Sequence, residues 1–344
     1  MHAPSILRLV LFFLAYASSW SLSTANPLEK RVSRTNPPSG AVVVRQSGAT
    51  SGQFTTIQAA VNSLPNDGSA RVIFIFPGTY AEQVIIPRSG QLTIYGSTTD
   101  STSYTSNSVT ITHSESAAQA GSDPPTGTLQ VNKDNFALYN VNVKNTFGSG
   151  SQALALSASG SNQGYYGCGF YGFQDTLLAE SGTQFYAASY IEGAVDFIWG
   201  QHGHAFFEDC TIASVAAGTI TADGPTSTTD SLFVINKSNI IVSSSASSSL
   251  TGQVFLGRPW TQFAQVVYTS CTLGAHINGA GWEIWSTATP NTADVTFAEF
   301  ASTGAGAAGT RASFSKKLTS NTGFMAANVL GSTWTSWVDT SYVL

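Results

Sequence analysis

The chain has 344 residues, of which 42% are hydrophobic and only 10% are charged, and its formal net charge is −5. The apolar content excludes intrinsic disorder, and no cluster of Lys and Arg is present to neutralise phosphates, so a nucleic-acid-binding protein is not expected. The 32 glycines and the many Ser and Thr residues, with so few charges, are typical of stacked β-strands.

The first 31 residues are predicted to be a leader. Arg8 precedes a short apolar run, residues 9–17, which ends in Ala-Tyr-Ala, and this pattern predicts a secretory signal peptide over residues 1–17. The run is too short to anchor the chain in a membrane. The pair Lys30-Arg31 indicates a propeptide over residues 18–31 that ends at a dibasic site, the alternative being a chance pair. We therefore expect one secreted, acidic domain over residues 32–344, monomeric and without a membrane partner.

Strand signals follow the leader to the end of the chain. Short apolar stretches such as residues 72–76, 136–143 and 265–268 are separated by Gly, Asn, Ser and Asp. Only residues 55–64 have helical periodicity, with four apolar side chains on one face. Because the open end of a strand stack needs a cover, we predict that this helix caps it.

A weak repeat indicates how the strands are arranged. Segments that begin at Cys168, Ser189 and Cys210 share the order small, any, apolar, any, small, at a spacing of 21 residues. A period in the low twenties predicts one coil of a parallel β-solenoid. A β-sandwich is the alternative that this periodicity leaves open.

The cysteines are expected to be free. Three are present, Cys168, Cys210 and Cys271, and an odd number leaves at least one thiol unpaired. Two coils separate Cys168 from Cys210, which places them about 9.6 Å apart, beyond the limit of about 7 Å between the Cα atoms of a disulfide. We predict stacked, buried thiols.

Two aspartates share a position in the repeat. Asp175 and Asp196 are 21 residues apart, so their backbones are expected to lie about 4.8 Å apart on neighbouring coils. Carboxyl groups so close have separated pKa values, and one is suited to be an acid while the other is an ionised nucleophile or base. The alternative is a pair of solvated loop aspartates, although Asp196 lies in an apolar run where a charge without a role is unfavourable.

Five segments together resemble the pectin methylesterases (pectinesterases), and in particular their fungal branch. They occur in the order of the family motifs and at comparable spacing over roughly residues 40–340, and the closing segment, residues 337–342, resembles the fungal members. The segments are Gly78-Thr-Tyr80-Ala-Glu82, Gln152-Ala-Leu-Ala-Leu156, Gly172-Phe-Gln174-Asp175-Thr-Leu177, Ile191-Glu-Gly193-Ala-Val-Asp196-Phe-Ile-Trp199-Gly200 and Leu256-Gly257-Arg258-Pro259-Trp260. Trp199 stands where many relatives have Phe, and this difference is not expected to affect the chemistry.

The resemblance implies an all-β, right-handed parallel β-helix that hydrolyses the C6 methyl esters of homogalacturonan, the backbone of pectin. It implies Asp196 as nucleophile, Asp175 as acid and base, Arg258 as the partner of Asp196, Gln152 and Gln174 as oxyanion donors, and Thr128, Phe197, Trp260 and Trp282 as substrate contacts. Amide groups can donate to a tetrahedral oxygen without adding charge, and a bidentate guanidinium keeps a carboxylate ionised and aimed. From the residues alone, the two tryptophans fit a hydrophobic core equally well.

Two other functions remain as alternatives: a β-helix pectin glycosidase or lyase, since carboxyl groups about 5 Å apart also suit a retaining glycosidase, and a non-catalytic wall-binding solenoid. His202 and His204 are interpreted as rim residues. No metal or cofactor is implied, because no cluster has ligand spacing. Asn236 begins an Asn-Lys-Ser acceptor for N-glycosylation.

Overall fold

Short parallel strands make up most of the regular secondary structure in the computed structural model, which describes residues 33–343. The leader predicted over residues 1–31 lies outside the described residues. The strands are β1 Val42–Val44, β2 Arg71–Ile75, β3 Gly78–Ala81, β4 Val84–Ile86, β5 Leu92–Gly96, β6 Val109–His113, β7 Leu129–Asn132, β8 Phe136–Tyr139, β9 Asn142–Asn145, β10 Leu156–Ser159, β11 Gln163–Tyr166, β12 Gly169–Tyr171, β13 Leu177–Ala187, β14 Tyr190–Gly200, β15 His202–Glu208, β16 Thr211–Asp223, β17 Leu232–Asn236, β18 Asn239–Val242, β19 Val254–Pro259, β20 Gln265–Thr269, β21 Thr272–Leu273, β22 Thr296–Phe300 and β23 Lys316–Lys317.

Helical segments are few and short. The α-helices are α1 Ile57–Ser63, α2 Ala117–Ala120 and α3 Ala326–Val329, and the 3₁₀ turns are Tyr104–Ser106, Pro124–Thr126, Ala305–Ala307, Thr322–Phe324, Trp334–Ser336 and Thr340–Tyr342. Within residues 33–343, no helix has both the length and the apolar character needed to span a membrane.

The strands form three parallel sheets, because each complete coil in the middle of the solenoid contributes one strand to each sheet. Sheet A contains β4, β7, β10, the first part of β13, the last parts of β14 and β16, and β19. Sheet B contains β1, β2, β5, β8, β11, the last part of β13, β15, β17, β20, β22 and β23. Sheet C contains β3, β6, β9, β12, the first parts of β14 and β16, β18 and β21. The solenoid that the repeat predicts is therefore present.

The corner from sheet B to sheet C is one residue in the left-handed region, repeated on seven successive coils. Positive φ is uncommon for residues other than Gly and is costly unless the surroundings hold it. Here the parallel neighbours above and below fix each corner. The corner residues are Asn140, Gly167, Ala188, Asp209, Lys237, Ser270 and Ala301, with φ between 47° and 58°.

A column of small side chains follows this corner inside the solenoid. Tyr190 pairs with Gly169 below and Thr211 above, so Cys168, Ser189 and Cys210 occupy one coil position, as predicted. All three cysteines, Cys271 included, are buried and free, and burial raises the pKa of the Cys168 and Cys271 thiols to about 12.

The core between the sheets is apolar, with aromatic rings stacked along the solenoid axis. Tyr165, Tyr186 and Phe207 form one such stack, with ring centroids 4.7 and 4.6 Å apart. Helix α1 adds the buried residues Ile57 and Ala60 to the core. It therefore matches the helix predicted over residues 55–64, and its role as a cap stays a prediction.

The outer face of sheet B is covered by the C-terminal segment, residues 318–343. Val338 and Tyr342 of that segment pack in one apolar cluster with Tyr166, Phe185 and Val234 of the sheet. This cover leaves the outer face of sheet A, which carries a smaller apolar cluster that includes Leu178 and Ala222, as the place for a cleft.

Candidate active site

The two aspartates lie at the corner where the chain turns from sheet C into sheet A. Gln174 forms a parallel bridge with Val195, and the Asp175 amide donates to the Val195 carbonyl at 3.0 Å. Two residues after Asp175, Leu177 pairs with Ile198. The offset is 21 residues throughout, so Asp175 and Asp196 occupy the same position on neighbouring coils.

Both aspartates have left-handed backbones, with φ of 61° for Asp175 and 49° for Asp196. Strained backbone conformations of this kind persist where surrounding contacts hold them, and they are frequent at functional sites. Neither side chain is free in solvent, since Asp175 is 7% and Asp196 6% exposed. The fold thus holds two carboxyl groups together in a place where ionising both is unfavourable.

Arg258 of β19 pairs with one of the two aspartates. Its Nε donates to Asp196 Oδ1 at 2.9 Å and its Nη2 donates to Asp196 Oδ2 at 2.6 Å. On the other side, the guanidinium lies 4.3 Å from the centre of the Trp285 ring. A bidentate, partly desolvated pair of this kind is strong and well oriented. Arg258 therefore fixes the orientation of the Asp196 carboxylate and compensates its negative charge.

The aspartates open into a cleft of about 240 Å³ on the outer face of sheet A. Polar groups line one part of it and aromatic rings the other, which is the mixture that suits a sugar ester. Its lining residues are Asp123, Gln152, Gln174, Asp175, Asp196, Trp199, Ala222, Arg258, Trp260 and Trp285. The structure thus brings together all five residues predicted from the sequence to be catalytic.

The environments of the two carboxyl groups differ in a way that divides their roles. Burial, together with the charges of Asp196 and Asp123, raises the pKa of Asp175 to about 8, although Arg258 opposes the rise. Burial also raises the pKa of Asp196, but there the hydrogen bonds and the charge of Arg258 oppose it directly. Asp175 is therefore suited to hold a proton at neutral pH, and Asp196 to stay ionised.

Most of the chain matches a known protein family. The family model described as Pectinesterase matches residues 41–328. The chain belongs to the pectinesterase family. It is 48% identical over 318 residues to a pectinesterase of Aspergillus niger, an alignment that covers 90% of this chain and 94% of the relative.

Solved structures agree with this assignment. The A. niger pectin methylesterase structure superposes with a TM-score of 0.84 at 39% identity, covering 90% of this chain and 100% of the other. The carrot pectin methylesterase gives a TM-score of 0.77 at 28% identity, covering 89% and 97%. These neighbours confirm the predicted right-handed parallel β-helix, and the pectinesterase is a carboxylic ester hydrolase.

Three predicted substrate contacts of this pectinesterase are not on the cleft surface, and those predictions are wrong. Phe197 is fully buried in the core and Thr128 is fully buried with its hydroxyl donating to the Lys144 carbonyl at 3.0 Å. Trp282 is 1% exposed and stacks on Phe297 inside the solenoid, with ring centroids 4.4 Å apart. Side chains buried to this degree cannot touch a sugar. Trp260, by contrast, does line the cleft.

Gly257 explains the position of Trp282. The two residues form a parallel bridge on neighbouring coils, and a Cβ on Gly257 would lie 2.9 Å from the Trp282 ring. The glycine of this motif therefore leaves room for an indole in the core.

Four residues of the cleft were not predicted from the sequence: Asp123, Trp199, Ala222 and Trp285. Asp123 begins the turn Pro124–Thr126 on an earlier coil, and no spacing connects it to the aspartate pair. Trp285 lies three residues beyond Trp282, and only the path of the loop makes it the outer one. Trp199 was visible as a departure from the motif, and that was the signal that could have found it.

Three other candidates lie away from the cleft. His202 and His204 are on β15 in sheet B. Asn236 is at the end of β17, where its Nδ2 donates to Glu208 Oε2 at 2.6 Å. A glycan would be attached to that same nitrogen, and glycosylation of Asn236 stays a prediction.

Proposed function

We propose that the enzyme hydrolyses the C6 methyl esters of homogalacturonan through a covalent intermediate on Asp196, releasing methanol and de-esterified pectin. The observation that carries this mechanism is the pairing of a buried aspartate at a bidentate arginine with a second aspartate whose pKa is raised to about 8. One is then a nucleophile and the other an acid at the same pH.

In the first half-reaction, a carboxylate oxygen of Asp196 attacks the ester carbonyl carbon. Each carboxylate oxygen keeps a lone pair besides the one that accepts from Arg258. Negative charge develops on the carbonyl oxygen, and the side-chain amides of Gln152 and Gln174, which line the cleft, are assigned to donate to it. When the tetrahedral species collapses, the C–O bond to the methoxy group breaks and Asp175 gives its proton to the departing methanol.

In the second half-reaction, water attacks the carbonyl carbon of the acyl-enzyme. Asp175, now ionised, takes the proton of the water as its general base. Collapse releases the free galacturonate unit and returns Asp196 as a carboxylate beside Arg258. Asp175 regains its proton, so the cycle needs no metal and no further reactant.

The two aspartates are expected to fail differently when replaced. Asp196→Asn removes the nucleophile, so neither a covalent adduct nor a methanol burst should form. Asp175→Asn keeps the nucleophile but loses the acid and base, so turnover should fall by roughly 10²–10⁴-fold while some acyl-enzyme accumulates. Rapid-quench methanol measurement and mass spectrometry on methylated oligogalacturonate distinguish the two variants.

Asp134→Asn is the matched control, since Asp134 is exposed and outside the cleft. Circular dichroism of each variant checks folding, because loss of Asp196 leaves the Arg258 charge unpaired. Near-native turnover in both cleft variants would contradict the mechanism. New reducing ends in the wild-type reaction would instead indicate a glycosidase.

We also propose that the protein is secreted and acts as a monomer on pectin outside the cell. The support is the signal-like pattern of residues 1–17 and the small number of large exposed apolar side chains among residues 33–343, which are Ile85, Ile241, Val242, Ile284 and Met325. Amino-terminal sequencing of protein from the culture medium, with light scattering for its mass, tests both proposals. A mature chain that still begins at residue 1, or a dimer mass, would contradict them.

A further inference from the structure

A contact between the two catalytic coils is not explained by the mechanism so far. The indole Nε1–H of Trp199 donates to the backbone carbonyl oxygen of Asp175 at 3.2 Å. Trp199 is 7% exposed and lines the cleft, with its ring 5.8 Å from that of Trp260. Phenylalanine, which the sequence comparison treated as equivalent at this position, has no N–H and cannot make this bond.

The Asp175 carbonyl depends on the indole because the neighbouring coil does not supply an amide for it. The carbonyls on either side of Asp175 accept from the backbone amides of Ala153 and Ala155, at 3.1 and 2.8 Å. The amide between them, that of Leu154, donates instead to the Thr126 hydroxyl at 3.0 Å. Buried carbonyls are nearly always paired, and the indole supplies the partner here.

The same bond connects the strand that carries Asp196 to the backbone of Asp175. Trp199 lies three residues after Asp196 on β14 and pairs with Leu178 of β13. Its side chain reaches back to the preceding coil, where Asp175 has the left-handed φ of 61°. A strained backbone keeps its conformation only while the surrounding contacts hold it.

We propose that Trp199 is a positioning residue for Asp175: its indole N–H holds the Asp175 backbone so that the carboxyl group faces the cleft at the distance that proton transfer to methanol requires. The inference rests on the proposed function, because it assigns Trp199 to the acid and base of that mechanism. Trp199 does not take part in bond making. It acts on the rate through Asp175.

Two replacements of Trp199 test the bond separately from the ring. Trp199→Phe removes the N–H and shortens the ring. Site-specific replacement of Trp199 by β-(3-benzothienyl)alanine keeps the size of the indole and exchanges only N–H for sulfur. Because a small displacement of a catalytic group is costly, we expect kcat on methylated pectin to fall by about tenfold to a hundredfold in both. In the benzothienylalanine protein, which keeps the shape of the cleft, KM should stay within about twofold, since this bond does not contact the sugar chain.

The pH profile supplies a readout that a loss of stability alone does not move. The groups that face Asp175 are Asp196, Asp123 and Arg258, and none of them changes in these variants. If Asp175 loosens and gains water, burial raises its pKa less. The decline of kcat at high pH should then begin at lower pH in both variants than in the wild type.

Trp334→Phe is the matched control, because this tryptophan lies beside Phe185 on the outer face of sheet B. Wild-type kcat and an unchanged pH profile in the benzothienylalanine protein would overturn the proposal, whatever Trp199→Phe shows. Failure of the proposed function is distinguishable, since the wild-type protein would then release no methanol, or Asp175→Asn and Asp196→Asn would both keep near-native turnover.

Discussion

At the scale of single residues, the cleft holds a protonated aspartate, Asp175, beside an ionised one, Asp196, whose negative charge is compensated by an arginine. Arg258 is already bidentate to Asp196, so its charge opposes the proton affinity of Asp175 only partly. Asp123 adds a second acidic neighbour, and burial raises the pKa of Asp123 as well. Burial and two acidic neighbours therefore favour the proton on Asp175, and Arg258 opposes it only partly.

Asp123→Asn is expected to narrow the pH range of activity from the alkaline side. A negative neighbour favours the protonated form of Asp175, so its removal lowers the pKa of Asp175 below the present value of about 8. Because acid catalysis needs the proton, the fall of kcat with rising pH should move to lower pH. Initial rates of methanol release from pH 5 to 10 at constant ionic strength measure the shift.

The control for this prediction is again Asp134→Asn, which removes the same charge at an exposed position. Its profile should overlay that of the wild type. An alkaline limb that stays in place in Asp123→Asn, or moves to higher pH, would mean that Asp123 does not act on Asp175.

At the scale of elements, the amino-terminal motif is explained by a helix start. Glu82 closes the motif that begins at Gly78, and its two carboxylate oxygens accept from the backbone amides of Ile57 and Gln58 at 2.8 and 2.9 Å. These are first-turn amides of α1, which have no partner within the helix. Thr56 caps the helix by accepting from the Ala59 amide. A residue in a strand motif therefore orders a helix 25 residues earlier in the chain.

Glu82→Ala should destabilise the fold without changing the chemistry. Two charge-assisted bonds to otherwise unpaired amides are lost, which predicts a decrease in the free energy of unfolding of about 1–3 kcal/mol. Urea unfolding followed by tryptophan fluorescence measures the change. Glu82→Gln, which keeps one acceptor oxygen, should lose less. Equal losses in the two variants, or a lowered kcat per folded molecule, would contradict this role.

Much of the site was predictable because the length of one coil can be read from the spacing of the sequence repeat. Asp175 and Asp196 have the spacing of Cys168, Ser189 and Cys210, and the two coils that carry the aspartates keep that 21-residue offset on both sides of the corner. Where successive coils have equal length, spacing in the sequence becomes adjacency in space.

The aromatic residues were not predictable for the opposite reason. Trp282 and Trp285 follow a loop between coils of unequal length, so alternation along a strand does not decide which ring faces inward. The structure puts Trp282 in the core and Trp285 against Arg258. Thr128 and Phe197 similarly look like contacts in a motif and are buried supports behind it.

At the scale of the whole molecule, the C-terminal segment connects coils that are distant along the solenoid. The Leu318 amide donates to the Glu299 carbonyl at one end, and the Tyr342 hydroxyl donates to the Ser101 carbonyl at the other. Between them, the Asp339 amide donates to the Tyr166 hydroxyl at 2.9 Å. A solenoid without such a segment contacts only its neighbours coil by coil, so this one is expected to unfold more cooperatively.

The thiols report on that cooperativity, since Cys168, Cys210 and Cys271 lie on different coils. None should react with a thiol reagent in the native state, because all are buried and burial raises the pKa of each. In urea near the unfolding midpoint, the three should become labelled at equal rates. Peptide mass spectrometry after timed iodoacetamide pulses measures this, and fully denatured protein gives the reference. Labelling of Cys271 well before Cys168 would indicate that the carboxyl-terminal coils open alone.

The left-handed corner between sheets B and C also decides where the molecule can vary. Successive members of the column behind it, from Val141 to Ser302, are 27, 21, 21, 28, 33 and 31 residues apart, yet the corner itself is always a single residue. All differences in coil length must therefore be taken up by the other two corners and their loops, on the side of the molecule that holds the cleft. The conformation of this corner is therefore constant along the solenoid. Insertions in the loops around the cleft can change the shape of the polysaccharide-binding surface and leave Asp175 and Asp196 aligned on neighbouring coils.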